Sequence, residues 1–206
     1  ISLSLPLRED RYIGEAVAAV FDNLLPDSDQ VRRRMAERLR AEGHDAFNLL
    51  AAAGRDCVGA LQFLPEDMEP GPAGEVHARP VTDGDIRRIV RDLGRNPLGV
   101  DAEGDFRISL AGAQEKTALL FWNGRWHIPQ GTTATTHILK PPIGRLGDGI
   151  DLSRSVENEL FCMRLAKAAG LPAAEVQAVD FEGQRVLVVE RFDRRWTADG
   201  RLLRLP

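Results

Sequence analysis

The chain has 206 residues and a formal net charge of −4, with 43% hydrophobic and 28% charged residues. This length predicts one or two domains, and the hydrophobic share is large enough for a folded core. The small negative charge argues against a chain that needs nucleic acid as a direct partner. No apolar run in the sequence reaches membrane-spanning length, so we expect a cytoplasmic protein without a membrane partner.

The cysteines and histidines do not predict a metal site. Cys57 and Cys162 lie far apart among apolar neighbours, which is typical of free, reduced thiols in the cytosol. The four histidines are scattered, without the spacing of ligands on a helix or hairpin. We therefore expect no metal to be held by side chains of this chain alone.

Hydrophobic periodicity predicts a mixed first block of about 100 residues. It opens on a strand-like run, continues through three helices and a second strand, and passes a loop rich in Pro, Gly and acids. Thr82 and Asp85 then resemble a capping box that opens a fourth helix. In chain order these elements span residues 1–6, 14–25, 29–41, 46–53, 57–64, 66–74 and 82–93. A further loop over residues 94–104 places a domain boundary near residue 100.

Five arginines and one glutamate lie between Arg32 and Arg40. Such a run is most often the solvated face of a helix. The alternative is contact with an acidic partner, or with DNA in a larger assembly.

The second block is predicted as antiparallel strands. Residues 106–110 alternate between apolar and polar, a turn of small residues follows, and another strand starts near Thr117. Asn123-Gly124 predicts a two-residue hairpin, and Glu182-Gly183 predicts a second one. Residues 136–140 and 186–189 are two further apolar strands.

One long helix is predicted between those last two strands, over residues 155–169, with Ser153 or Ser155 as its cap. Gly170 and Pro172 end it. A five-stranded antiparallel sheet with one long helix is an α+β layer.

Residues 111–116 predict a loop that suits a phosphate. The residues at 111–113 lack bulk, so backbone N–H groups there can approach an anion closely. Gln114 and Lys116 add side-chain donors. The loop is not a P-loop, because Glu115 stands where that motif requires glycine. A tight hairpin of small residues is the alternative interpretation.

Lys140 ends a predicted strand and is followed by Pro141. A lysine that points into a domain needs an anion, because burying it unpaired is costly. Glu157 and Glu159, in the first turns of the following helix, are two candidate partners. The alternatives are an exposed lysine at a sheet edge and acids that only favour the helix N-terminus.

Several long strings resemble HipA-type serine/threonine kinase toxins. They are FRISLAGAQEKTALL (106–120), TTHILKPPIG (135–144), SVENELFCMRLAKAAGL (155–171) and VERFDRRW (189–196), with FDNLLPDS (21–28) and GRDCVGAL (54–61) nearer the start. The resemblance covers essentially the whole chain. It implies a protein-kinase-like N-terminal lobe with nucleotide loop and hinge over residues 101–206. A smaller mixed helical and strand subdomain, part of the HipA N-terminal region, precedes it over residues 1–100.

The resemblance also implies which residues contact ATP. Glu159 is the favoured ion-pair partner of the strand lysine, and the connector after residue 189 binds adenine through backbone groups. The implied ATP-contacting positions are Ala111, Gly112, Ala113, Gln114, Glu115, Lys116, Lys140, Glu190, Arg191 and Phe192.

Ser109 matches the autophosphorylated serine of the family. A phosphate there adds roughly −1.5 to −2 charges. In the family this modification ejects the loop and blocks ATP binding. The alternative is an ordinary small residue in a strand.

The resemblance places the catalytic residues outside this sequence. The family's catalytic base and metal-binding acids lie in an Asp-Gly-His-x-x-Asn segment and a later Asp, and neither occurs here. We therefore expect no catalytic residue within the chain and expect the base and the metal-binding acids to lie beyond Pro206. On this interpretation the chain is an N-terminal fragment, inactive alone, of a parent kinase that uses ATP and Mg²⁺.

Partners and a biological role are implied by the same resemblance. They are a HipB-like antitoxin dimer, operator DNA bound through that antitoxin, and glutamyl-tRNA synthetase as the protein substrate. Growth arrest and persistence would follow from phosphorylation of that substrate. Two alternatives are a standalone module that occupies a partner kinase and a non-enzymatic ATP-binding domain.

Overall fold

The structure is a computed structural model that describes residues 5–6, 8–93, 114–145 and 149–206. Its helices are α1 (Glu15–Asp22), α2 (Asp29–Leu39), α3 (Ala46–Ala53), α4 (Asp83–Arg91) and α5 (Ser155–Ala168). Its strands are β1 (Ala78–Pro80), β2 (Thr117–Trp122), β3 (Arg125–Pro129), β4 (His137–Lys140), β5 (Gly144–Arg145), β6 (Asp151–Leu152), β7 (Val176–Phe181), β8 (Gln184–Glu190), β9 (Arg194–Trp196) and β10 (Leu202–Arg204).

Six of these strands form one antiparallel sheet in the order β1-β3-β2-β4-β8-β7. Two of its connections are the tight turns Asn123-Gly124 and Glu182-Gly183, and all four of these residues have positive φ. Turns of this kind match the twist of the flanking strands, which is why these dipeptides predicted both hairpins. Two further strand pairs, β5 with β6 and β9 with β10, lie apart from the sheet. The sheet and its helices confirm the predicted α+β class.

Strand register decides which residues share a face of the sheet. Ala118 pairs with Ile138, and Ile138 pairs with Val189, so these side chains lie on the same face as Lys140. We call this the lysine face. Helices α1, α2 and α3 cover part of it, because Ala118 joins their core and Ile138 packs against it. The other buried members of that core are Leu25, Met35, Leu49, Leu50, Ala53 and Cys57.

The opposite face of the sheet packs on α4. Leu119, Leu139 and Val188 form a second core with Ile86 and Val90 of this helix. Because apolar layers cover both faces, the central strands are nearly continuous apolar runs.

The long helix α5 packs along β7 and β8. Val156 is its buried residue. The predicted cap of this helix is wrong, because its N-cap is Arg154 without a side-chain cap bond. The Ser155 hydroxyl instead accepts from the Ile143 backbone N–H at 2.9 Å, and the Ser153 N–H donates to Asp151 Oδ1.

At three other helices the N-terminus is capped by a side chain. The capping box of α4 is present, with Thr82 and Asp85 each bonding the other's backbone. Ser28 caps α2 and Asp45 caps α3. Each cap satisfies backbone N–H groups that the first helical turn leaves unpaired.

Two features of the fold differ from the predictions. Residues 57–64 do not form a strand; Gly59 has a φ of 72° and Phe63 N–H donates to Gly54 O at 2.8 Å. The carbonyls of Cys57 and Gly59 accept from buried arginine side chains, so they are not available to a strand ladder. Among the described residues the sheet also has six strands instead of five, because β1 pairs with β3.

The predicted strand at residues 106–110 and the first four residues of the predicted strand at 1–6 lie outside the described residues. Both β1 and α4, which precede residue 100, pack on the sheet that the second block builds. None of the helices in the described ranges combines the length and apolar character needed to cross a bilayer.

Candidate functional site

Lys140, the last residue of β4, contacts a carboxylate of α5. Its Nζ donates to Glu159 Oε1 at 2.7 Å, and the two side chains are 22% and 32% exposed. Glu157 lies instead against Arg185, with 3.4 Å between Arg185 Nε and Glu157 Oε1. Residues two apart on a helix point in nearly opposite directions, so only one of the two acids can face β4. The structure therefore brings Glu159, of the two candidates, to the strand lysine.

Lys116 is a second lysine near this pair. It is 7% exposed and directly precedes β2. Burial lowers the pKa of Lys116 most, and the positive charge of Lys140 lowers it further, while Asp27 and Glu159 oppose the shift. The two lysines thus lie close together on the lysine face, and the carboxylates of Asp27 and Glu159 offset part of their charge. An anion that bound here would favour the charged form of Lys116.

The end of the predicted phosphate loop lies close to Lys140. Gln114 Nε2 donates to the carbonyl of Pro141 at 3.2 Å, while Glu115 is exposed. Ser109 and residues Ala111, Gly112 and Ala113 lie outside the described part of the chain.

The connector after β8 is fixed by main-chain bonds. Glu190 N–H donates to Glu175 O and Arg191 N–H donates to Thr136 O, each at 2.9 Å. Phe192 is 80% exposed. The connector therefore holds a defined backbone with an aromatic side chain in solvent.

The side chain of Glu190 does not lie with the lysines. Glu190 pairs with His137 across β4 and β8, on the face opposite Lys140. The two side chains line a cavity of about 310 Å³, together with Glu175, Val176, Gln177 and Val188. The Glu190 side chain therefore lies away from a ligand held by Lys116 and Lys140.

Arg191 faces inward, where it joins a buried ionic network that the sequence did not predict. We define this network by Asp56, Thr135, Arg191, Asp193, Arg194 and Arg204. The two aspartates and Arg191 and Arg194 are at most 5% exposed at their side chains, and Arg204 is 11% exposed. Burying so many charges is tolerable only when they pair and bond with one another.

Asp56 is shared among three arginines. Its Oδ1 accepts from Arg194 Nη2 at 2.8 Å and from Arg204 Nε at 3.2 Å. Its Oδ2 accepts from both the N–H and the hydroxyl of Thr135, at 2.9 and 2.6 Å, and lies 3.5 Å from Arg191 Nη1. Asp56 thereby joins four distant segments of the chain.

Asp193 is the second carboxylate of the network. It accepts two bonds from Arg191, at 3.0 and 2.8 Å, and one from the Gly59 N–H at 2.7 Å. Burial acts to raise the pKa of Asp193, but the bonds and charges of Arg191 and Arg194 hold it below its usual value. The carboxylate is therefore a stable anion within the network.

One sequence signal pointed toward this network without identifying it. The run after β8 places alternating charges, including Arg191 and Asp193, directly behind a buried apolar strand. Charges in such a position must find partners, yet those partners lie about 135 residues away at Asp56 and Cys57. Local patterns carry no information about contacts over that separation.

The lysine face is suited to a ligand with several negative charges. Two neighbouring lysines neutralise charge, and a polyphosphate is held mainly by positioning and charge neutralisation. No group of three or more His, Cys, Asp or Glu side chains able to hold a metal ion occurs among the described residues. The two lysines offer phosphate contacts. The location of a catalytic base and metal-binding acids beyond Pro206 stays a prediction.

Two sequence family models match the chain. The model described as HipA N-terminal domain matches residues 1–64, and the model described as HipA-like C-terminal domain matches residues 108–206. Together they span most of the chain, which belongs to the HipA family.

Curated relatives agree with this assignment. A protein of Sinorhizobium fredii named "Putative kinase Y4mE" is 42% identical over 203 residues, which are 97% of this chain and 46% of that protein. The serine/threonine-protein kinase toxin HipA of Shewanella oneidensis is 34% identical over 175 residues, or 84% of this chain and 37% of that protein. The chain spans less than half the length of each of these relatives.

A solved structure shares the fold. In the complex of Shewanella oneidensis HipA with HipB and its operator DNA, one chain matches with a TM-score of 0.66 and 29% identity. The match covers 91% of this chain and 41% of that chain. The fold described above is therefore that of the matching part of a HipA structure.

Proposed function

We propose that this chain forms the nucleotide-binding part of a HipA-type serine/threonine kinase toxin. The observation that carries the proposal is the contact between Lys140 and Glu159 beside the buried Lys116. A strand lysine held by a helix glutamate is the arrangement that positions ATP phosphates in protein kinases. Relatives named as kinases support the same conclusion.

The residues present fit ATP in two regions. The phosphates would be held by Lys140 and by the loop over residues 111–116, which includes Lys116. The backbone at Glu190–Phe192 would contact adenine, because the Arg191 side chain is committed to the buried ionic network. ATP supplies the phosphoryl group that is transferred.

The catalytic base and the Mg²⁺-binding acids are proposed to lie beyond Pro206. The relatives named as kinases are more than twice as long as the part that matches this chain, which supports the proposal. The lysine face would then hold the nucleotide while residues of that further length act on the phosphoryl group and the substrate hydroxyl.

Ser109 is the proposed autophosphorylation site. Its position before the loop would place a new charge of roughly −1.5 to −2 next to the proposed phosphate contacts. Repulsion between this charge and the ATP phosphates would weaken nucleotide binding. Autophosphorylation would in this way switch the kinase off.

A HipB-like antitoxin dimer and operator DNA are the proposed partners, supported by the complex of the Shewanella protein with HipB and DNA.

Glutamyl-tRNA synthetase is the proposed substrate. Its phosphorylation in the cytoplasm would cause growth arrest and persistence. If induced expression of the full-length gene changes neither growth nor protein phosphorylation, the toxin part of this proposal is wrong.

The nucleotide site is tested by Lys140→Ala in the full-length protein. Removing a charge-assisted contact worth about 1.5–3 kcal/mol should weaken ATP binding by about tenfold or more in calorimetry. Lys167→Ala is the matched control, because Lys167 is an exposed lysine of α5 that pairs with Glu175. ATP affinity equal to wild type in a folded Lys140→Ala protein would rule out the proposed role.

A phosphate-transfer assay on the same proteins distinguishes a kinase from a non-catalytic module. A protein that binds ATP but shows no transfer to itself or to any protein would be an ATP-binding or kinase-regulating module without catalysis. Incorporation of labelled phosphate that is lost in Lys140→Ala would identify the kinase.

A further inference from the structure

The connector proposed to contact adenine is held by side chains as well as by its backbone. Arg191 lies between Glu190 and Phe192, and its guanidinium donates to three segments of the chain. Nη1 donates to Thr135 Oγ1 at 2.9 Å, Nη2 to Cys57 O at 3.0 Å and Nε to Asp193 Oδ1 at 3.0 Å. Its backbone N–H donates to Thr136 O at 2.9 Å. The position of this connector therefore depends on what holds Arg191.

Asp56 bonds two segments that lie next to this connector. It accepts two bonds from Thr135, just before the lysine strand, and one from Arg194, just after the connector. It is 1% exposed. Asp56 lies in the segment matched by the N-terminal domain model, whereas Thr135 and Arg194 lie in the segment matched by the C-terminal one.

We propose that Asp56 is a positioning residue for nucleotide binding. It sets the backbone at Glu190–Phe192 for the base through Arg191, Arg194 and Thr135, and it does not itself touch the nucleotide. This inference rests on the proposed nucleotide site. It adds a role for the N-terminal segment in recognition of the base.

The charge balance of the network explains why Asp56 is needed to position the connector. Three arginines are opposed by two aspartates, so neutralising Asp56 leaves only Asp193 to compensate them. Buried guanidinium groups without an anion draw in water or move toward other acceptors. Either change displaces the connector, because Arg191 belongs to it and Arg194 lies just after it, and a displacement of about 1 Å is enough to weaken a positioned contact.

The test compares two ligands on the full-length protein with Asp56→Asn. ATP reaches both the lysines and the connector, whereas inorganic tripolyphosphate can use only the lysines. We expect the Kd for ATP to rise at least about tenfold and the Kd for tripolyphosphate to stay within about twofold. Asp199→Asn is the matched control, since it removes an aspartate between β9 and β10 whose partners are the Thr197 hydroxyl and the exposed Arg201. Both constants should remain at wild-type values in that variant.

Two results would overturn the proposal. One is a folded Asp56→Asn protein that binds ATP as tightly as wild type. The other is an equal loss of ATP and tripolyphosphate, which would assign Asp56 a purely structural role.

Thr135→Val provides a milder variant if Asp56→Asn does not fold. It removes the hydroxyl that bonds both Asp56 and Arg191. A selective loss of ATP affinity of about threefold is expected, and no selectivity in this variant would also count against the proposal. Absence of ATP binding by the wild-type protein would instead show that the proposed nucleotide site is wrong.

Discussion

Lys140 and Lys116 repel one another across a buried part of the lysine face, and the carboxylates of Asp27 and Glu159 partly compensate this repulsion. The pKa of Lys116 is lowered by burial first and by Lys140 second. A bound polyanion would add negative charge beside both lysines and so favour the charged form of Lys116.

Replacing the helix acid should weaken the site less than replacing the lysine. In Glu159→Gln the lysine charge remains but its anchor is lost, so we expect kcat/KM for ATP in the full-length kinase to fall about threefold. Glu157→Gln, whose carboxylate lies against Arg185, should keep the wild-type value. An unchanged rate in Glu159→Gln, or an equal loss in both variants, would contradict the role of this ion pair.

Sequence reasoning reached Lys140 and both candidate acids because all three are marked by local patterns, a strand end and a helix start. It did not reach Asp56, whose partners Arg194 and Arg204 are 138 and 148 residues away. The run just after Asp56, residues 57–64, was predicted as a strand because it is almost entirely apolar. Hydrogen bonds from Arg191 and Arg194 to the carbonyls of Cys57 and Gly59 determine the conformation of this run instead.

At the scale of elements, the turns and helix caps that were predicted correctly depend on residues adjacent in the sequence. Both hairpins and the capping box of α4 are encoded in two to four adjacent residues. In contrast, β1 is a three-residue strand with a proline at its end, and only its pairing with β3 defines it. The cap of α5 failed for a similar reason, since Ser155 bonds the distant Ile143.

His137 makes the stability of the sheet depend on pH. It lies in β4 against Phe121 and Trp126, with ring centroids 5.9 and 5.2 Å away. Burial lowers the pKa of His137 from 6.5 to about 4. The unfolded chain therefore binds a proton at a pH where the folded chain does not, and the folded state loses stability as the pH falls from 6.5 toward 4.

The size of this effect is on the order of 2–3 kcal/mol when partial exposure is allowed for. Urea unfolding of wild type and His137→Gln, at neutral pH and near the lower pKa, measures it. The variant should be less stable at neutral pH but should lose less stability on acidification. His77→Gln, at an exposed histidine beside Glu75, should retain the wild-type pH dependence. Parallel pH profiles for wild type and His137→Gln would contradict the assignment.

At the scale of the whole molecule, the segments matched by the two family models do not form separate cores. Ala118 of β2 is buried in the core of α1, α2 and α3, and Asp56 is buried among arginines of the C-terminal segment. Each segment therefore supplies groups without which the other would expose apolar surface or unpaired charge.

The isolated 206-residue chain should show no kinase turnover, although it holds both lysines, because the catalytic base and metal-binding acids are proposed to lie beyond Pro206. We expect weak ATP binding, since a site open to solvent buries less of the ligand than a closed cleft does. Intact-mass spectrometry of the chain expressed without any intact kinase should show Ser109 unphosphorylated, while the full-length protein gives the phosphorylated control. Phosphate on Ser109 in the isolated chain would mean that catalytic residues lie within it.

The sharing of Asp56 limits how this protein can be recombined with its relatives. A chimaera that exchanged the first 64 residues would keep Arg191, Arg194 and Arg204 from one parent and take the residue at position 56 from the other. Unless that parent also supplied an acid there, three guanidinium groups would remain in the interior with Asp193 alone. The two segments therefore match one another at this network. A functional exchange of either segment must keep both the acid at position 56 and the three arginines that it pairs with.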